Sequence, residues 1–147
     1  MNAAEIDAQI IEPVVTEVLE STLFLAAEPD GAFDWDDGSL RWSTIDLHRP
    51  ALGALVLATS AAEAEAIFTM LWAGERLADD LAVAGMIDEL ANAIAGQTLA
   101  QLDPQQSPGL GLPDAGRGPL PPAAAERRYG FRLEDGKRIG VALRALV

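Results

Sequence analysis

The chain has 147 residues, half of them hydrophobic and 22% charged, with no cysteine and one histidine. That supports one domain, 1–147, with a buried core, and excludes disulfides, thiol nucleophiles and a multi-histidine metal site. The net charge of −13 opposes nucleic acid and anionic lipid as partners, and no run of about 18 apolar residues exists to span a membrane.

The first residues carry the acids Glu5, Asp7 and Glu12 rather than a basic stretch. The expectation is therefore no secretory signal and a cytoplasmic home. Charge is uneven. Residues 1–103 hold 19 acids and 3 bases, whereas 104–147 hold 4 acids and 7 bases. An acidic body suits a basic protein surface, or it keeps an alanine-rich chain soluble.

From Ala3 to Leu25 apolar residues recur every three or four positions, among them Ile6, Ile10, Val14 and Val18. This predicts a helix with a wide apolar face. Pro13 either lies in its first turn or kinks it. Glu28 to Gly38 reads as a polar turn region. Leu40 to His48 alternates imperfectly, and Leu52 to Thr59 is almost wholly apolar. These are two strands, the second central, joined at Arg49-Pro50-Ala51.

Ser60 followed by Glu63 is a capping box for a helix ending near Gly74. Asp79 or Asp80 caps a longer helix to about Leu102. Residues 103–122 contain six prolines and four glycines, which predicts a loop with at most an extended edge segment. Arg127 to Leu133 and Arg138 to Leu146 form a hairpin about Glu134-Asp135-Gly136. The resulting class is α+β, an antiparallel sheet packed with two long helices and one shorter one.

Familiar chemical motifs are missing. No phosphate loop is present, and Gly109-x-Gly111 opens no helix. Asp34, Asp36 and Asp37 lack the spacing and distal Glu of a calcium loop. His48 has no Gly-x-Ser-x-Gly to complete a triad. Trp35, Trp42 and Trp72 are either core or interface anchors.

The informative segment is Gly85-Met-Ile-Asp88-Glu89-Leu-Ala-Asn92-Ala-Ile-Ala-Gly96. On a helical wheel Val83, Ile87, Leu90 and Ile94 face one way. Glu89 and Asn92 lie nearly opposite, adjacent to each other. Gly85, Ala82, Ala93 and Gly96 share or border their face. Two helical glycines cost roughly 1 kcal/mol each relative to Ala. Either this is an ordinary solvated face, or it is a bare platform for close approach of another backbone. In the second case the carboxylate pairs with a lysine and the carboxamide holds a water.

The segment Asp88-Glu-Leu-Ala-Asn-Ala-Ile-Ala-Gly96 resembles the active-site helix of the CheC/CheX/FliY chemotaxis phosphatases. Their signature is Asp or Ser, three residues, Glu, two residues, Asn, and a proline some twenty residues later. Glu89 and Asn92 match it, and Pro113 sits slightly early for the proline. Ile11-Glu-Pro-Val, Leu52 to Ser60 and Leu71-Trp-Ala-Gly-Glu75 resemble further family segments in order. A single Glu-x-x-Asn is similar to the CheX branch. Where the family carries Asp or Ser, this chain has Gly85.

The resemblance implies a CheX-like fold and hydrolysis of the phospho-aspartate of a CheY-like response-regulator receiver domain. Glu89 is then expected to engage the receiver's lysine and Asn92 to orient the attacking water. Gly85, Asp88 and Gly96 are expected to meet the partner. Mg²⁺ is expected on the receiver, with no cofactor on this chain, and a homodimer is implied. The alternatives are a non-catalytic receiver-binding adapter and a flagellar-switch-like assembly module.

Overall fold

The computed structural model describes residues 1–145. After a 3-10 turn at Ala3–Glu5, α1 spans Ala8–Leu23. One continuous helix from Ala3 is not formed, because two caps compete within seven residues. Asn2 accepts from the Ala4 N–H, and Asp7 accepts from Gln9 N–H at 3.0 Å. Pro13 is the sixth residue of α1, past the first turn, and the helix runs unbroken through it.

Seven strands follow: β1 (Ala27–Pro29), β2 (Leu40–Arg49), β3 (Gly53–Ser60), β4 (Gly109–Leu110), β5 (Asp114–Arg117), β6 (Glu126–Leu133) and β7 (Arg138–Arg144). They pair antiparallel in the order β1-β6-β7-β3-β2-β4, with β5 also on β2. Two more helices, α2 (Ala61–Leu71) and α3 (Asp80–Leu102), complete the α+β fold. Leu146, the last residue of the expected final strand, lies outside the described residues.

The apolar run of β3 is buried along Gly53–Thr59, with β7 on one side and β2 on the other. Leu55, Leu57, Ile139, Val141 and Leu143 join the core that α1 and α3 also fill. The opposite face of the sheet has its own packing. Registered across five strands are Gly116, Trp42, Ala58, Gly140 and Gly130. This row is a shallow trough. A Cβ on Gly116 would overlap the Trp42 ring, and one on Gly140 would stand 2.7 Å from Phe33 and Trp35. Trp35 and Trp42 are therefore packing residues.

Three local expectations change. Glu28 and Pro29, read as the start of a turn region, belong with Ala27 to a strand that pairs with Phe131–Leu133 of β6. Pro29 is tolerated because it sits on an edge strand. The Pro-rich segment places both β4 and β5 on the free edge of β2. The Ser60 capping box is half formed. Ser60 Oγ accepts from the Glu63 N–H at 3.2 Å, but the Glu63 carboxylate accepts from Arg138 N–H and the Thr59 hydroxyl instead. A bond to a neighbouring strand replaces the reciprocal cap.

Candidate functional site

Helix α3 is anchored at its start. The Asp79 side chain accepts from Ala82 N–H at 2.8 Å, satisfying one of the unpaired donors of the first turn. Asp80, the first helical residue, pairs with Arg117 of β5 at 2.7 Å and Arg41 of β2 at 3.6 Å. Arg41 also donates to the Asp80 carbonyl. The helix is thus tied to the sheet at its N-terminal end before its core contacts begin.

Those contacts set its rotation. Val83, Met86, Ile87, Leu90, Ala91, Ile94, Ala95, Thr98 and Leu99 are buried. Each large apolar side chain among them contributes on the order of 2 kcal/mol by burial. Turning the helix to hide its other face would expose all of these. Glu89, Asn92, Ala93 and Gly85 therefore face solvent, and all four are exposed. Glu89 and Asn92 are three residues apart, so their side chains are surface neighbours. Among the described residues the Glu89 carboxylate makes no ion pair with another part of the chain.

The remaining predicted residues sit at the margins. Gly85 is open, with nothing within 4 Å of the position a Cβ would take. Gly96 is half-buried, and Leu110 Cδ1 lies 3.9 Å from its Cβ position. The Pro-rich segment thus borders the far end of the platform. Asp88 is half-buried, and its Oδ1 is sealed from solvent without a hydrogen-bond partner. It is set back from the outward-facing pair. Pro113 lies in the link between β4 and β5 and is half-buried.

One feature escaped the sequence reading. A groove of about 560 Å³ runs beside the platform between the end of α2 and the start of α3. Gly85 and Glu89 line one side of it, and Trp72 and Arg76 line the other. A tryptophan just past the last apolar turn of α2, two residues before a glycine, was the available signal.

The fold has counterparts among solved structures. A CheX from Borrelia burgdorferi, solved in a CheX–CheY–BeF3–Mg²⁺ complex, superposes with a TM-score of 0.74. The two are 19% identical over 95% of this chain and 98% of that one. This chain has the CheX fold. The CheX of Vibrio vulnificus gives a TM-score of 0.73 at 13% identity, covering 98% of each chain. The middle domain of FliM from Vibrio alginolyticus superposes on this chain with a TM-score of 0.63 at 11% identity, over 95% of this chain and 92% of that one. No family model and no curated protein sequence matches the chain.

Proposed function

We propose that this chain removes phosphate from the phospho-aspartate of a CheY-like receiver domain. The observation that carries the reading is the exposure of Glu89 and Asn92 together on α3, in a chain with the CheX fold. A CheX of that fold is solved with CheY, Mg²⁺ and BeF3, a phosphoryl analogue.

The chemistry needs little from the enzyme beyond placement. Water attacks phosphorus in line, the bond from phosphorus to the aspartyl oxygen breaks, and the carboxylate leaves with its electron pair. The water's proton passes to phosphate or solvent. Such a reaction is accelerated mainly by orientation and charge stabilisation. The Asn92 carboxamide offers a donor and an acceptor, so it holds water in one orientation without titrating. Glu89 anchors the receiver's lysine as an ion pair. In this reading the magnesium is the receiver's. The homodimer implied by the resemblance is part of this reading.

The test compares wild type, Asn92→Ala and Glu89→Ala on a panel of phosphorylated receivers from the same genome, with Mg²⁺. Phosphate loss accelerated by wild type and abolished by Asn92→Ala supports the assignment. Equal acceleration by all three rejects it. Gly85, at the family's Asp-or-Ser position, favours a second reading, a non-catalytic adapter. An adapter would bind the receiver and leave the lifetime of its phosphate unchanged. An assembly module would instead bind its own kind or switch proteins.

A further inference from the structure

The groove beside Glu89 has a floor of Phe68 and Met86, both buried. Its walls include Trp72, 43% exposed, and Leu81, 85% exposed. Large apolar side chains left open around a concave surface with a polar rim are the anatomy of a binding site. Arg76 lies across this surface. Its guanidinium carbon stands 4.5 Å from the Trp72 ring centroid and 5.8 Å from that of Phe68. Stacking of this kind occupies the flat face of the guanidinium and leaves its N–H edge available to an acceptor. Among the described residues Arg76 forms no ion pair.

Charge identifies the occupant. Only Arg41, Arg49 and Arg76 are basic among residues 1–103, against 19 acids, and Arg41 is held by Asp80. A phosphorylated receiver presents a phosphoryl group and the carboxylates that hold its magnesium. Beside the lysine that Glu89 meets, these anionic groups face a chain rich in acids. Arg76 is the one base lining the groove, against the acids Asp79 and Glu89, and so the one group there that an anionic side chain can meet. We infer that this groove seats the rim of the receiver's phosphorylation pocket. One apolar side chain of the receiver lies over Phe68 and Met86 against Trp72, and one of its carboxylates meets Arg76. This inference rests on the receiver reading above. It makes Arg76 and Trp72 affinity and specificity residues, separate from the Glu89–Asn92 chemistry.

The experiment uses a receiver that the wild-type chain dephosphorylates, and the same receiver loaded with BeF3⁻ and Mg²⁺ for binding. Arg76→Gln and Trp72→Ala are each expected to raise KM and Kd about tenfold, with kcat changing less than about twofold. Trp72→Phe should restore most of the loss, and the difference in Kd between wild type and Arg76→Gln should shrink as salt is raised. Leu81→Ser, at a position outside the core, should also weaken binding and guards against misfolding of the Trp72 variant. Unchanged KM in Arg76→Gln and Leu81→Ser overturns the groove inference, even where Asn92→Ala abolishes turnover. Full turnover by Asn92→Ala alongside raised KM in the groove variants overturns the catalytic assignment and upholds the groove. Binding of wild type to no receiver of the genome overturns both.

Discussion

Glu89 and Asn92 are both exposed on α3, while Leu90 and Ala91 between them are both buried. The backbone that carries this polar pair is held in place, because the residues that separate its members are packed in the core. Asn92→Ala should accordingly leave the helix and receiver binding intact. It should lower turnover by about 100-fold or more, the order expected when orientation of a reacting water is lost. Single-turnover phosphate release from a charged receiver, with Kd measured in parallel, checks both halves. Glu89→Gln should chiefly weaken binding, by removing one partner of an intermolecular ion pair.

Gly85 and Gly116 should respond in opposite ways to added carbon. Gly85 is helical, exposed, and free of neighbours within 4 Å of its Cβ position. Gly85→Ala should stabilise the fold by about 0.5–1 kcal/mol. Gly85→Ser adds the hydroxyl that the family's motif carries, and a rise in turnover would show that this position contributes to catalysis. Gly116 lies under the Trp42 ring, so Gly116→Val should destabilise by about 1–3 kcal/mol through overpacking. Urea unfolding of the two variants gives the signs.

The Asp80 carboxylate links α3 to both β2 and β5 through Arg41 and Arg117. Arg117 is well exposed, so screening limits the global effect of Asp80→Asn to under about 1 kcal/mol. The local effect should be larger. Strand β5 loses its tie to the helix, and backbone amides of residues 114–117 should exchange with solvent faster than those of β3. Equal protection in wild type and variant would show that pairing with β2 alone holds β5 in place.

Acid should loosen the β6–β7 turn through Asp135. Burial raises its carboxyl pKa, but the hydrogen bonds and charge of Lys137 outweigh this and hold it below the ordinary aspartate value. The folded state therefore binds the proton less readily than the unfolded chain. The resulting stability is present above the unfolded pKa of about 4 and disappears as pH falls through the lowered folded value. Asp135→Asn should flatten the stability curve in that acid range and leave its slope near pH 7 unchanged. Chemical denaturation between about pH 2 and pH 7 measures it.

The amino-acid sequence by itself determined the features whose causes are local. Ser60 and Asp79 cap α2 and α3 because each side chain finds an amide three residues ahead. The period of Val83, Ile87, Leu90 and Ile94 oriented α3, and with it Glu89 and Asn92. Continuous apolar character along Leu52 to Thr59 marked a strand enclosed on both faces. Tertiary structure alone decided what depends on distant partners. Residues 109–110 and 114–117 became strands because β2 offers a free edge, and backbone groups pair wherever a register is open, even among prolines and glycines. The row of Gly116, Ala58, Gly140 and Gly130 became a seat for aromatic rings only after five strands were aligned. The groove under Arg76 exists because α2 ends where α3 begins its descent across the sheet, a distance that no spacing along the chain encodes.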